Sequence, residues 1–140
     1  MTVRRAAASS RRRTRDTGVF VRDTPAVRAL ERGLEVLRAF RPGIVTLTNV
    51  EIADRTGLPR ATVSRLTGTL VERGFLEFDF EASAYRLGAP FLSFGLSVRE
   101  GSPVLRVALP LMRDVADGLR INVGLAVVDE GEGVYLDSVR

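Results

Sequence analysis

The sequence has 140 residues, enough for one ordinary domain or for a small domain and part of a second. A hydrophobic content of 45% allows a packed core, and there is no cysteine and no histidine. Their absence excludes disulfides, thiolate nucleophiles, Cys/His zinc sites and the Ser-His-Asp arrangement. Because no close pair of carboxylates stands out either, we expect no enzyme and no cofactor.

All 21 basic residues are arginine, and the net charge is +4. Arginine carries a flat fork that suits phosphate and guanine, so this bias favours nucleic-acid binding. A codon bias of the whole genome would produce the same composition. No run of about eighteen apolar residues is present, which predicts that nothing spans a membrane. We expect a cytoplasmic protein.

Residues 1–24 are small, polar and basic, with seven arginines and only Asp16 and Asp23 to oppose them. They show no sustained periodicity, which predicts a disordered arm. The arm either follows the phosphates or minor groove of DNA, or is a solvated leader without a specific contact. No apolar segment follows the arginines, so a secretory signal is not expected.

The first predicted helix covers Ala26 to Phe40, and Arg41-Pro42-Gly43 ends it. Its apolar stripe, at steps of three and four, consists of Val27, Leu30, Leu34, Leu37 and Phe40. The next residues, 44–47, are partly β-branched and predict a brief strand.

Two short helices joined by a glycine turn are predicted from Thr48 onward. Thr48 and Glu51 have the spacing of a capping box, in which each side chain bonds to a free amide at the helix start. Gly57 can adopt the positive φ that a sharp turn needs, and Pro59 suits the first position of the next helix. This is the pattern of a helix-turn-helix.

The second of these helices is predicted over residues 59–73, with two unlike faces. Val63, Leu66 and Leu70 form its apolar stripe, at steps of three and four. The opposite face carries Ala61, Ser64, Arg65 and Gly68. A helix that packs on one side and enters the DNA major groove on the other has this pattern. Any two-helix corner with solvated arginines would share part of it.

A β-hairpin is predicted directly after this helix. Residues 75–80 alternate apolar and polar, 81–83 form a polar turn, and 84–87 return as a second strand. A hairpin in this place is the wing of a winged helix-turn-helix, which lies against the phosphate backbone or minor groove. We place Arg86 there, with a solvated strand position as the equal alternative.

The remainder predicts more helix and a second hairpin. Pro90 starts a helix through Arg99, whose apolar residues require burial by a second copy of the chain or by its own domain. Residues 103–119 are also helical, with Pro110 expected to kink or split them. The side expected to be buried consists of Leu105, Leu109, Met112, Val115, Ala116 and Leu119.

Residues 121–129 and 134–139 are predicted strands that flank a turn at 130–133. A two-stranded sheet is marginal alone. We therefore expect the start of a second domain, which either a longer chain or another subunit completes.

The sequence resembles the N-terminal part of an IclR-family bacterial transcriptional regulator from about Val27 to Arg140. The resemblance rests on ALERGLEVLRAF (29–40), EIADRTGLPRATVSRLTGTLVERGFLE (51–77), YRLG (85–88), LPLMRDVADGL (109–119) and INVGLAVVDEGEGVYLDSV (121–139). It implies that the protein reads operator DNA as part of a dimer, which is often assembled further into a tetramer. Two-fold pairing of such domains predicts an operator that is an inverted repeat. The resemblance also implies a C-terminal domain that binds a small organic effector, most of which would lie beyond Arg140.

The expected fold class is α+β: a three-helix winged helix-turn-helix with a β-hairpin wing, then linker helices and the first strands of an α/β effector-binding domain. The expected divisions are 1–24, 25–88, 89–119 and 120–140. Predicted DNA contacts are Arg28, Thr48, Arg60, Ala61, Thr62, Ser64, Arg65, Gly68 and Arg86. Among them, Arg65 is expected to read a base, and Arg28 and Arg60 to bind phosphates. The alternative is a winged helix that serves only as a protein–protein interaction module.

Overall fold

The computed structural model describes residues 12–13, 20–21 and 25–140. In the N-terminal segment, β1 (Arg12–Arg13) pairs antiparallel with β2 (Phe20–Val21). This pairing was not predicted from the sequence. The other residues of the expected disordered arm lie outside the described residues, and for them disorder stays a prediction.

Nine further elements follow between residues 25 and 140, and they confirm the expected α+β class. They are α1 (Arg28–Arg38), α2 (Asn49–Thr56), α3 (Arg60–Glu72), β3 (Leu76–Asp79), β4 (Ala84–Leu87), α4 (Pro90–Glu100), α5 (Pro103–Leu119), β5 (Val123–Asp129) and β6 (Glu132–Val139). Both β3–β4 and β5–β6 are antiparallel two-stranded sheets. The first three helices and the first of these hairpins make the winged helix.

The core of the winged helix gathers apolar residues from all of its parts. The buried cluster consists of Val36, Ala39, Phe40, Leu47, Ile52, Ala53, Val63 and Leu76. Leu47 also joins the wing, since its amide donates to the Tyr85 carbonyl at 2.9 Å and its carbonyl accepts from the Tyr85 amide at 2.8 Å. The strand predicted at 44–47 is thus reduced to a single bridge, which fixes the wing to the helices.

The predicted apolar stripe of α1 is only partly buried. Val36 is fully buried, whereas Leu30 and Leu34 are 61% and 51% exposed. The helix turns its Val36 side to the core, which the stripe prediction missed. Leu30 and Leu34 instead line an open cleft between α1 and α3, with a volume of about 720 Å³.

A close backbone crossing joins the wing to α4. The Gly88 amide donates to the Phe75 carbonyl at 2.8 Å. A Cβ atom at position 88 would lie 2.1 Å from the Gly74 carbonyl oxygen. Only glycine fits this crossing, from which the chain enters α4.

Helix α5 runs without a break through Pro110, so the helix is not split there, and the other predicted outcome, a kink, stays a prediction. Pro110 and Arg106 both lie on the exposed side of the helix, where water can replace the hydrogen bond that proline removes. The helix buries Leu105, Met112 and Ala116. Two other residues of the predicted buried side, Val115 and Leu119, are 44% and 67% exposed.

The second hairpin, β5–β6, packs against α5. Its turn is Glu130-Gly131, with φ values of +49° and +84°. Two consecutive positive φ angles are typical of a tight two-residue hairpin turn, shorter than the predicted turn over 130–133. In the described part of the chain no third strand joins this sheet.

Candidate nucleic-acid interface

The capping box predicted at the start of α2 is present. The Glu51 amide donates to Thr48 Oγ1 at 3.2 Å, and the Thr48 amide donates to Glu51 Oε2 at 2.7 Å. The amide hydrogen bond from Thr48 is the main reason why the pKa of Glu51 lies below its ordinary value. Because the Thr48 hydroxyl also donates to Glu51 at 2.9 Å, it is already engaged, and its predicted contact with DNA stays a prediction.

The turn between α2 and α3 is built as the sequence predicts, apart from one residue. Gly57 has φ +70°, and its amide donates to the Ala53 carbonyl at 2.9 Å. Pro59 is extended and precedes the helix, which begins at Arg60, one position later than predicted. Ala53 is buried in the core cluster, and its small side chain permits the close crossing of the two helices.

The inner face of α3 fixes how the helix is rotated. Val63 and Thr67 are fully buried, and Leu66 and Leu70 are partly buried against the core. The Thr67 hydroxyl donates to the Val63 carbonyl at 2.8 Å, so this polar side chain is satisfied within the helix. The prediction missed Thr67, although its place four residues after Val63 indicates the inner side.

The outer face of α3 is free of the rest of the fold. Ala61, Ser64, Arg65 and Gly68 are all exposed, as is Arg60 at the first position of the helix. Within residues 25–140, neither Arg60 nor Arg65 forms an ion pair. This face therefore presents two guanidinium groups, a hydroxyl and two small residues on one rigid rod.

Two other predicted contacts lie beside this face. Arg28 is the first residue of α1 and is exposed. Thr62 is partly buried and lines the cleft between α1 and α3 together with Arg65.

The wing does not present a free arginine. Arg86 Nε lies 3.1 Å from Glu77 Oε2, and its Nη1 lies 3.6 Å from Asp79 Oδ2. Asp79 also accepts the amides of Ala82 and Glu81, each at 3.0 Å, and the Ala82 amide is the main cause of its lowered pKa. The charge of Arg86 is thus compensated within the hairpin, and its predicted contact with DNA stays a prediction.

The turn of the wing exposes an aromatic ring that the prediction did not single out. Phe80 is 86% exposed and meets Phe78 edge-on at a centroid distance of 5.1 Å. The alternating pattern placed Phe80 in the strand, whereas the strand ends at Asp79.

The comparison with known families identifies the helix-turn-helix. Residues 29–79 match the model of the IclR helix-turn-helix domain. The chain belongs to the IclR family. This family match covers α1, α2, α3 and β3, the elements that build the exposed face described above.

Similarity to individual proteins extends beyond that domain. The chain is 37% identical to the HTH-type transcriptional regulator TsaQ1/TsaQ2 of Comamonas testosteroni, over 84% of this chain and 42% of the relative. It is 46% identical to the solved IclR family transcriptional regulator from Brucella abortus, with a TM-score of 0.74 over 84% of this chain and 45% of that one.

An IclR homolog from Microbacterium hydrocarbonoxydans, solved in complex with 4-hydroxybenzoate, is 32% identical. Its TM-score is 0.62 over 79% of this chain and 46% of that one. This chain therefore spans less than half the length of each of these three relatives.

Residues 25–140 lack the features of a membrane-spanning helix and of a metal site. No helix in this part combines the length and the apolar character needed to cross a bilayer. In the same residues, acidic side chains do not gather in a group that could hold a metal ion. The relatives are transcriptional regulators, a class of protein that acts by binding.

Proposed function

We propose that this chain is the DNA-reading part of a transcriptional regulator and that α3 enters the major groove of its operator. The observation that carries the proposal is the outer face of α3, which is exposed over its length and holds Arg60 and Arg65 without ion pairs in the described residues. The family of the helix-turn-helix supports the same conclusion.

Affinity and specificity come from different residues of this interface. Arg28 and Arg60, each at the start of a helix, are placed to bind phosphates, and the release of counterions makes binding fall steeply with salt. Thr62 and Ser64 can donate to phosphates or base edges. Arg65 lies mid-helix on the exposed face, where a bidentate pair with guanine contributes about 1–3 kcal/mol of discrimination.

Replacement of Arg65 tests base reading directly. The protein first selects duplexes from a random pool, and gel shifts then compare a selected duplex with a random one. We expect Arg65→Ala to lower affinity for the selected duplex about tenfold or more while affinity for random duplex changes little. Arg73→Ala is the matched control, because Arg73 is exposed at the far end of the same helix.

Three outcomes are informative. An equal loss on both duplexes would show that Arg65 binds a phosphate. No loss on either duplex would show that the exposed face of α3 does not meet DNA. If the unmodified protein fails to bind any duplex at low salt, the winged helix is an interaction module instead.

We infer that a second copy of the chain covers α4. This helix buries none of its residues. Leu92, Leu96 and Val98 are 76%, 55% and 59% exposed, which is costly for a helix left in water. Two copies related by a two-fold axis would read an inverted repeat, with half-sites about one helical turn or a multiple apart.

A charge on α4 tests this pairing. We expect Leu96→Glu to shift the protein toward the monomer in sedimentation velocity, because two carboxylates would be buried across the two-fold axis. Affinity for an inverted repeat should fall, while affinity for one half-site stays the same. Val45→Glu is the control, since Val45 is 76% exposed on the winged helix. A dimer that survives Leu96→Glu would place the interface elsewhere.

In a complete chain, we propose that residues after β6 finish an effector domain that begins with β5. Support comes from the two-stranded sheet, which no third strand completes in the described residues, and from the length of the relatives. The Microbacterium homolog was solved with an aromatic acid, 4-hydroxybenzoate. A small organic acid is accordingly the effector class that we propose, in a dimer that can assemble into a tetramer.

A further inference from the structure

An ionic contact joins two segments that are 91 residues apart in the sequence. Arg38 Nη1 lies 3.1 Å from Asp129 Oδ2 and 3.2 Å from Glu130 Oε1. Arg41 Nη2 lies 3.3 Å from Glu130 Oε2, and its Nε lies 3.8 Å from Glu132 Oε2. We name these five residues the clasp.

The geometry of both partners concentrates the charges of the clasp. The two-residue turn of β5–β6 brings three carboxylates into the four positions 129–132. On the other side, Arg38 stands in the last turn of α1, where the helix dipole favours a cation. Arg41 follows directly in the segment that ends the helix. A compact acidic tip thus meets a compact basic helix end.

The opposite end of the hairpin has an attachment of its own. Arg99, in the last turn of α4, contacts Asp137 on β6 at 2.5 Å. The Asp137 side chain is only 19% exposed. The hairpin is therefore held to the winged helix at its turn and to the linker helix near its other end.

We propose that the clasp fixes the orientation of the winged helix relative to the β5–β6 hairpin and opens when that hairpin moves. Helix α1 packs directly on α3. A displacement of the C-terminal end of α1 would therefore also shift α3, which carries Arg65. The proposal concerns control rather than DNA reading, and its main test does not depend on the proposed function.

The strength of the clasp suits a contact that opens. Its arginine and acidic side chains are about 30–50% exposed. An exposed ion pair shifts an equilibrium by up to about fivefold, and the shared pairs of the clasp together by on the order of tenfold. A contribution of this size favours the arrangement with the clasp closed, and it leaves the open arrangement within reach of a ligand.

Distances between spin labels measure the opening. The natural chain contains no cysteine, so Glu72→Cys on α3 and Ala126→Cys on β5 give one labelled pair. Both sites are exposed and lie outside the clasp. With the clasp intact, we expect one narrow distance distribution in pulsed electron paramagnetic resonance. Arg38→Glu with Arg41→Glu should raise the ratio of a second, displaced population about tenfold.

Restoring the opposite charges is the decisive step. Adding Asp129→Arg, Glu130→Arg and Glu132→Arg to the two arginine replacements should return the narrow distribution. Arg32→Glu with Arg106→Glu is the control, because it changes the net charge equally and neither residue forms an ion pair in residues 25–140. A control that broadens the distribution equally, or a swap that fails to restore it, would overturn the clasp.

A second variant guards against loss of the fold. If circular dichroism shows that the arginine replacements unfold the chain, Asp129→Asn with Glu130→Gln and Glu132→Gln removes the acidic side at a surface turn. An unchanged distribution in that folded variant would also overturn the proposal. Gel shifts on a single half-site distinguish the clasp from DNA reading. We expect Arg65→Ala to alter base preference in the gel shift and to leave the distance between the two labels unchanged.

Discussion

The winged helix and the segment that follows it use apolar residues in opposite ways. In the winged helix, Val36, Ile52 and Val63 from three different helices are fully buried in one cluster. In α4 none of the residues is buried, and in α5 only three are. Both regions are rich in leucine, valine and phenylalanine, so composition alone does not distinguish them.

The difference lies in the directions from which each helix is covered. Helices α1, α2 and α3 each contribute at least one fully buried apolar residue to the shared cluster, although Leu30 and Leu34 of α1 stay exposed. Helix α4 is apolar on several sides and has few neighbours in its own chain. The winged helix therefore has a buried core of its own, whereas α4 and α5 leave most of their apolar residues exposed or half-buried.

The largest effect on stability should follow from creating a cavity in the buried core of the winged helix. Ile52 is fully buried in the cluster on α2. We expect Ile52→Ala to lower the free energy of unfolding by about 2–5 kcal/mol, because it removes transfer energy and leaves a cavity. Urea denaturation followed by circular dichroism measures this loss.

Val45→Ala is the matched control for that loss. Val45 is 76% exposed, so the change should stay within about 0.5 kcal/mol. Equal losses at the two positions would mean that the winged helix has no closed core of its own.

An intermediate effect should follow from breaking the capping box. Thr48→Ala leaves the Glu51 amide without its acceptor, and we expect a loss of about 1 kcal/mol in the free energy of unfolding. Thr46→Ala, two residues earlier and outside the helix, is the control. Thermal melting of both variants measures the difference. Equal shifts in melting temperature for the two variants would mean that the Thr48 cap does not stabilise the fold.

The smallest effect should appear in the following segment, as a change in pH dependence. The hydrogen bond from Arg99 holds the pKa of Asp137 below its ordinary value of 3.8. A carboxyl with a lowered folded pKa stabilises the fold above its ordinary pKa, and this stabilisation is lost as pH falls through the lowered value. The loss therefore occurs below about pH 4.

Melting temperatures measured across the acid range check this dependence. The natural chain should lose stability on acidification, and Asp137→Asn should flatten the curve and start from a lower value at neutral pH. Glu100→Gln is a control for a carboxyl with no ion pair in residues 25–140. A variant curve parallel to that of the natural chain would mean that the Arg99 contact does not persist in solution.

The parts of the fold that depend on short-range chemistry could be predicted from the sequence. The capping box of Thr48 and Glu51, the positive φ of Gly57 and the start of α4 at Pro90 each follow from residues within one helical turn. The exposed face with Ser64 and Arg65 also followed, because the apolar stripe of α3 is unambiguous.

The parts that depend on long-range packing could not be predicted. The orientation of α1 is decided by what covers it, so Val36 was missed while Leu30 and Leu34 were expected inside. The pairing of Arg86 with Glu77 requires the register of the hairpin. The clasp joins residues about ninety positions apart, and no local pattern connects them.

Gly88 restricts how the angle between the winged helix and α4 can change. Every amino acid other than glycine would drive a side-chain carbon into the carbonyl of Gly74. A substitution at position 88 therefore cannot change the direction of α4 in small steps. The angle at which α4 leaves the winged helix is therefore fixed by the backbone at this crossing, and any change in that angle must come from contacts further along the chain.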